Sequence, residues 1–438
     1  MLLFFNVSIE IKIVVLHNNF SMSNIKRSEE ILKNVIAPTF LVLASIIILG
    51  YPLFRSPLLL MIDGPYYAVQ ARWILEKGHM KYLDPPLVFY IMAFVSAIVG
   101  DIFLGVKITV VVLSSLATLP WYFYFSRKGS WAAGIGAGAA IVCNQWMIRM
   151  VPDFMKNATG ITWLSAFIVL SLMFLEKGEK KYLAASIVFF VLTALTHILD
   201  FAVAIFYSIM LPLIYMATLK RIEWNKMVLP LIGITLVAVA FAAPFVVGGD
   251  VYKGLAFLED ISEYEEYSFE RLPEALLVAG IAATLVISGV SSSRNDPVSS
   301  SLDYASALLI VGLNFPAIPP KWLFRFRNMN LIPLAAAVGS SLSHIKEWKK
   351  TLPALVLIVF ILLSMTVRVY PMLRPTVTQQ QYMELKEVIR YAEERGLSIV
   401  ILDPKLRYWA ETIGDNIYKR VEDAPQPFCF IIKLMSEQ

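Results

Sequence analysis

Only two of the 438 residues are cysteine, Cys143 and Cys429, and neither has a second thiol near it, so the chain carries neither a zinc framework nor a disulfide scaffold. Charge is scarce too: 16% of residues are Asp, Glu, Lys or Arg, against 58% hydrophobic. A soluble globular domain carries about 25% charge, so that class is excluded. The net charge of +5 is modest, and the bases come in short clusters between apolar runs. That pattern orients a chain in a bilayer and excludes a nucleic-acid partner. No internal repeat is evident, which argues against an inverted-repeat transporter. The middles of the hydrophobic segments are almost free of charge, whereas an ion-coupled transporter keeps ionisable groups near the midplane.

What the chain has instead is a succession of hydrophobic runs close to the twenty residues or so that cross a bilayer as a helix. They read as 35–54, 103–125, 131–148, 158–175, 182–198, 201–219, 228–247, 275–290, 302–319, 328–344 and 352–370, about eleven crossings. The run 86–99 is about 14 residues, too short to cross, and belongs in the outer interface. With that choice Arg127-Lys128, Lys177 with Lys180-Lys181, Lys220-Arg221 with Lys226, and Lys346 with Lys349-Lys350 all face the cytoplasm, as does the N-terminus. The outer face then collects Asp63, Asp153, His197, the acidic stretch 248–274, Lys321 to Arg327 and the tail. Residues 1–34 read as an N-terminal extension, with translation starting at Met1 or Met22, and residues 35–371 as the membrane domain.

The organising stretch is 63–86, polar yet flanked by hydrophobic sequence on both sides. Asp63-Gly64-Pro65 makes a turn into a helix expected over 66–77 and stopped by Gly78, and Pro85-Pro86 opens the short apolar run. Asp63 reads either as the N-cap of that helix or as an acid held at the membrane surface for chemistry. The tail, 379–438, changes character: a helix over 382–395 ended by Gly396, a strand over 397–402, a helix over 404–413 and a strand over 428–434. Such a small α/β domain buries little core alone and has to lean on the membrane domain. The expected fold is a polytopic α-helical membrane protein with about eleven transmembrane helices, two interfacial helices in the first outer loop, and a small extracytoplasmic α/β domain.

Several local motifs resemble those of GT-C membrane glycosyltransferases, which use polyprenyl-phosphate-linked sugars. Asp63-Gly64-Pro65-Tyr66-Tyr67 is similar to the Asp-Pro-aromatic-aromatic signature of the oligosaccharyltransferase catalytic subunit. Gly78 to Tyr90, with Pro85-Pro86-Leu87, resembles the corresponding loop of protein mannosyltransferases and aminoarabinose transferases, and Asp101 with Gly105-Val106-Lys107 resembles the Gly-Asp and Gly-Val-Arg lead-in to their next helix. Asp153 with Lys156-Asn157, Thr196-His197, and Arg325-Phe326 followed by Pro333 fall where related archaeal sequences carry similar residues. Two departures matter. Gly64 stands where protein mannosyltransferases usually place Glu, and the Trp-Trp-Asp motif of oligosaccharyltransferases is absent, which points to transfer of one sugar in place of a whole oligosaccharide.

The resemblance implies transfer of a mannose-like sugar from a polyprenyl or dolichyl phosphate to a protein, glycan or lipid acceptor, with inversion at the anomeric carbon. Such chemistry needs a base for the acceptor hydroxyl and a cation for the departing phosphate. Asp63 is the candidate base, and Asp153, which reads otherwise as a helix-end residue, the second acid. Arg325 is the preferred phosphate partner because a guanidinium grips two oxygens at once, with Arg327 and Lys321 as competitors. His197, Tyr66, Tyr67 and Lys156 complete the substrate-binding candidates. Asp63 and Asp153 are also the oxygen ligands that magnesium or manganese would use, a question left open by the residues. The stretch 248–274 reads as a solvated loop or as a flap that supplies one carboxylate. The rival function is a transporter or flippase of lipid-linked sugars.

Overall fold

The computed structural model describes residues 30–247, 272–316, 318–425 and 429–432. Most of the expected N-terminal extension and nearly all of the acidic stretch 248–274 therefore lie outside the described residues. The chain enters helix α1 (Ala37–Phe54) and then leaves helical structure for residues 55–62. Two short helices follow, α2 (Gly64–Lys77) and α3 (Leu87–Val99), each closed by a left-handed glycine, Gly78 at φ +81° and Gly100 at φ +73°. At 1.5 Å per residue α3 is about 20 Å long, short of a hydrocarbon core of about 30 Å. Val88, Phe89, Met92 and Ala93 bury one face of it, while Tyr90, Phe94 and Ile98 are exposed on the other.

Helices α4 (Ile102–Leu116) and α5 (Thr118–Lys128) run almost without a break. Next come α6 (Trp131–Val142), α7 (Gln145–Asp153), α8 (Met155–Lys177), α9 (Lys180–Ala194), α10 (Ile198–Leu219) and α11 (Val228–Val247). Beyond the undescribed stretch lie α12 (Leu272–Ser292), α13 (Pro297–Leu313), α14 (Pro320–Arg327), α15 (Leu331–His344) and α16 (Trp348–Val369). Among the described residues six helices are long and apolar enough to cross a membrane, and α3, α6, α13 and part of α11 are shorter apolar helices. The chain is a helical membrane protein. Helix α6 sits at the centre because it is built of small residues: a Cβ at Gly134 would stand 2.6 Å from the Tyr122 carbonyl of α5, and one at Gly136 would stand 2.4 Å from Leu342 of α15. Backbones can approach that closely only without side chains.

One expected crossing is wrong. The run 131–148 is not a single span, and 149–157 is not a loop: α6 stops at Val142 and α7 begins at Gln145. Asn144 makes the break, its amide donating to the carbonyls of Ala140 (2.7 Å) and Ile141 (2.9 Å) while its oxygen accepts from Met147 N (2.8 Å). One side chain closes the first helix and caps the second. Hydropathy averages across such a break and cannot register it.

The C-terminal unit begins with α17 (Gln379–Glu394), opened by a capping box between Thr378 and Gln381. Strand β1 (Ser398–Ile401), fully buried, is the centre of a parallel sheet of order β2-β1-β3, with β2 at Ile417–Tyr418 and β3 at Cys429–Ile432, and α18 (Pro404–Glu411) connects β1 to β2. The expected elements are present. The two-residue β2 carries no periodicity of its own and was not foreseen. Trp409 of α18 is completely buried, its ring 6.0 Å from Phe103 of α4 and 5.4 Å from Tyr382 of α17.

The base clusters predict that the first loop and the C-terminal unit, which touch through Tyr82 and Glu411, share one side of the membrane, with Trp224 on the other. Cysteines introduced at Leu83 (97% exposed) and Val421 (46% exposed) are expected to react with an impermeant thiol reagent in intact cells, and one at Trp224 (77% exposed) only after permeabilisation. Opposite accessibility of positions 83 and 421 would overturn the topology.

Candidate active site between the first loop and helix α7

The backbone leading to Asp63 is tied down from two directions. Lys107 of α4, 3% exposed, donates to the carbonyls of Ser56 (2.6 Å) and Pro57 (3.1 Å). Arg55 donates to the carbonyls of Tyr370 (2.7 Å) and Leu373. Met61 then adopts φ +61°, a left-handed conformation that side-chain-bearing residues rarely take. It is held there by a bridge to Pro375, with Met61 N donating to the Arg374 carbonyl at 2.9 Å. That turn delivers Asp63 to the N-cap position of α2, yet its carboxylate makes no capping hydrogen bond. The capping alternative is therefore not what the side chain does.

Asp63 faces other charges instead. Burial, and then the neighbouring Asp153 carboxylate, push its pKa up from 3.8 to about 6, while Arg325 and Lys156 pull against the shift. Asp153 is the last residue of α7 and 7% exposed, and its carboxylate faces the backbone N–H groups of Asp63 and Ile62. Burial raises its pKa, and those amides together with Arg149 oppose the rise. The two acids are thus joined through the backbone of one by the side chain of the other. Asp153 and Lys156 from one stretch and Arg325 from another thus come within electrostatic reach of Asp63.

Around them the first loop builds an aromatic wall. The Tyr66 hydroxyl donates to Asp84 at 2.8 Å and accepts from Gln70 at 3.0 Å, and Lys156 forms an ion pair with the same Asp84 carboxylate. Lys156 also lies 5.5 Å from the centre of the Phe89 ring, and its backbone N–H approaches the hydroxyl of the buried Tyr67 at 3.5 Å. Both tyrosine pKa values are raised, in each case first by burial. Asp84 escaped the sequence reading. Its one signal was an acid directly before Pro85-Pro86 in a loop already suspected of chemistry.

Helix α14 is seated by Phe324, whose ring packs against Phe154 at 5.8 Å and lies 4.1 Å from the Arg149 guanidinium. This seat brings exposed Arg325 into electrostatic reach of Asp63, with its guanidinium 5.3 Å from the Trp322 ring. Arg327 is committed elsewhere, to an ion pair with Glu274 at the start of α12. Glu274 is the one described acid of the stretch proposed as a flap, and the rest of that stretch lies outside the described residues. Lys321 is on α14 as well, but its side chain is not among those described. His197 caps the start of α10 by position and stands 3.5 Å from Asp200, which is fully buried against Gly160. Lys156 links that pair electrostatically to the main cluster.

An apolar slot of 180 Å³ opens beside the start of α7, lined by Trp146, Leu277, Leu334, Ile358 and Leu362 among others. It lies along the short helix whose far end carries Asp153. A larger cavity of 1040 Å³ reaches Lys220 and Arg294 at the opposite ends of α10 and α12 and has no part in this site.

The architecture is the GT-C fold of membrane glycosyltransferases. Over 86% of its length the chain superposes on the oligosaccharyltransferase of Archaeoglobus fulgidus, determined with Zn and sulfate, at a TM-score of 0.58 and 12% identity, covering 62% of that protein. A second structure of the same enzyme, tethered to an acceptor peptide with the NVT sequon, matches 89% of the chain and 64% of that protein at a TM-score of 0.56 and 13% identity. ArnT from Cupriavidus metallidurans bound to undecaprenyl phosphate matches 85% of the chain and 74% of that protein, with a TM-score of 0.53 and 14% identity. The chain thus spans about three fifths of the archaeal oligosaccharyltransferase it resembles. By sequence it belongs to the family described as 6-pyruvoyl-tetrahydropterin synthase related domain, membrane protein, whose profile matches residues 81–376. No curated protein matches the sequence.

The raised pKa of Asp63 has a sign that can be measured. The folded chain holds the proton more tightly than the unfolded one, so this residue's contribution to stability is complete below pH 4 and is lost as pH rises through about 6. Asp63→Asn should match the wild type in thermal unfolding near pH 4. At pH 7 it should exceed it by about 2 kcal/mol, after discounting partial exposure. A variant equally stable relative to wild type at both pH values would show that Asp63 is not buried as described.

Proposed function

We propose that this protein moves a single sugar from a polyprenyl-phosphate donor to an acceptor on the outer face of the membrane, inverting the anomeric carbon. The observation that carries the proposal is the partly buried Asp63, backed by Asp153 and facing Lys156 and Arg325, with an apolar slot at the other end of α7. A carboxylate with a pKa of about 6 is still ionised at pH 7, yet it is a stronger base than an ordinary surface acid. It takes the acceptor hydroxyl proton as that oxygen bonds to the anomeric carbon. The bond from that carbon to phosphate breaks with its electron pair, and Arg325 meets the charge that grows on the polyprenyl phosphate. Asp153, turned toward the amides of Ile62 and Asp63, positions the base. Lys156, through Asp84 and Tyr66, holds the first loop against it.

The slot beside α7 suits the first isoprene units of a donor. The solved relatives, an oligosaccharyltransferase and a transferase bound to undecaprenyl phosphate, support a lipid-linked donor. Of the family description, the membrane half matches what the chain builds. A mannose-like sugar, a dolichyl carrier, a protein, glycan or lipid acceptor, and the expected crossings other than 131–148 belong to the same proposal. Magnesium or manganese would be held by Asp63 and Asp153. Among the described residues no third acid, histidine or cysteine joins them, so substrate phosphate would complete the shell, and the ion would supply added neutralisation of the leaving group.

Purified protein incubated with radiolabelled polyprenyl-phosphate mannose and a membrane extract as acceptor source is expected to move the label to a new product. Asp63→Asn should lower the single-turnover rate by about 10² to 10⁴ with donor affinity little changed. Arg325→Lys should weaken both, because a point charge cannot reproduce the bidentate grip. Label that crosses the bilayer unreacted would favour the flippase instead, and normal turnover in Asp63→Asn would remove the base assignment.

A further inference from the structure

Where the first loop meets the C-terminal unit, positive charge is buried beyond what its partners satisfy. Arg72 of α2 is matched: it pairs with Glu76 at 2.9 Å and with Asp415, and donates to the carbonyls of Glu411 (2.8 Å) and Gly414 (3.3 Å). Arg407 of α18 and Lys81 of the loop are not matched in that way. Both lean on the single carboxylate of Glu411, each at 3.5 Å, the outer limit of a hydrogen bond. That carboxylate already accepts the Tyr82 hydroxyl, 2.8 Å from one oxygen and 2.7 Å from the other. Arg407 Nε and Nη1 and Lys81 Nζ have no hydrogen-bond partner among the described residues, although Arg407 is only 9% exposed.

Two cations sharing one occupied carboxylate leave a net positive charge and idle N–H donors in a largely buried place, an arrangement that is costly unless an anion completes it. The guanidinium fork is the group that fits two oxygens of a phosphate or carboxylate. Aromatic rings enclose the spot: Arg407 lies 5.2 Å from the Tyr408 ring centre, Tyr408 stands 6.3 Å from Tyr82 and 5.3 Å from Tyr66, and the Tyr66 hydroxyl is bound to Asp84 beside Lys156. The donors are therefore one ring away from the carboxylate cluster. They approach it from α2 and the C-terminal unit, whereas Arg325 approaches from α14.

We propose that Arg407 and Lys81 form a subsite for an oxyanion, phosphate or carboxylate, carried by the sugar acceptor, with Tyr66, Tyr82 and Tyr408 as its walls. This rests on the glycosyl-transfer reading and deepens it. Inversion puts the acceptor opposite the leaving phosphate, so an acceptor held from the α2 side faces a donor phosphate held by Arg325. The C-terminal unit then selects acidic acceptors.

The test uses full-length protein in phosphatidylcholine nanodiscs, with glucose 6-phosphate, glucuronate and glucose as probes of binding by saturation-transfer NMR. Both anionic probes should bind and glucose at least tenfold more weakly; Arg407→Gln should cost the anions about tenfold in affinity, and Arg407→Lys should recover part of it, in line with one charge-assisted contact. Should Arg407→Gln unfold, Lys81→Gln, at the more exposed donor, makes the same measurement. Anion binding should survive saturating farnesyl phosphate and replacement of the lipid by phosphatidylglycerol. Displacement by farnesyl phosphate would reassign the subsite to the donor, displacement by phosphatidylglycerol to a lipid headgroup, and unchanged affinity in both Gln variants would remove it; each overturns the proposal. Because binding is read without turnover, absence of sugar transfer in the wild type would retire the enzymatic reading and leave the subsite standing.

Discussion

Two carboxylates cannot be buried side by side at a helix end unless backbone amides and nearby cations take up their charge. That requirement organises one end of this protein. Asp153 meets it by facing the N–H groups of Ile62 and Asp63, which sets the end of α7 beside the start of α2. For α7 to end there, α6 has to stop early, and Asn144 stops it. For Ile62 and Asp63 to present their amides, Met61 has to turn left-handed, and the bridge to residues 374–375 holds it in that state. Features that look like separate irregularities are consequences of one electrostatic demand.

The C-terminal unit is consequently part of the site's scaffold. The segment leading into it, residues 370–375, is tied to Arg55 and Met61, and α18 then places Tyr408 on Tyr66 and Trp409 on Phe103. A three-stranded parallel sheet with two helices has a small core of its own, and Trp409 and Tyr408 extend it onto Phe103 and Tyr66 of the membrane domain. The same contact that stabilises the small unit brings Arg407 and Glu411 to the first loop. Stability and proximity to the candidate chemistry come from one interface.

Much of the helical framework was legible because its signals are local. Gly78 and Gly396 end helices where a left-handed residue is needed, and long apolar stretches such as those around Leu164 and Leu355 read as buried or lipid-facing helices from length alone. The break at Asn144 was not legible, since a capping asparagine within an apolar run looks like an isolated polar residue until its three hydrogen bonds are seen. Asp84 and Arg407 were missed for a related reason. Each is an ordinary loop or surface-helix residue in sequence, and its importance lies in a partner 72 positions away for Asp84, and in partnerless donors for Arg407.

By itself the sequence determined the class of the molecule: too little charge to be soluble, apolar runs of membrane length, an acid-bearing loop between them, and a tail whose periodicity changes from helix to strand. Periodicity, hydropathy and turn residues act over a few neighbours, and they survive any rearrangement of the bundle. Only the tertiary structure decided that Asp63 does not cap its helix, that Arg327 is occupied by Glu274 while Arg325 is left facing Asp63, and that the small C-terminal unit closes over the first loop. Those outcomes depend on which charges meet across hundreds of residues, and the electrostatic energy of a buried group is set by its distance to partners in space, which no local pattern encodes.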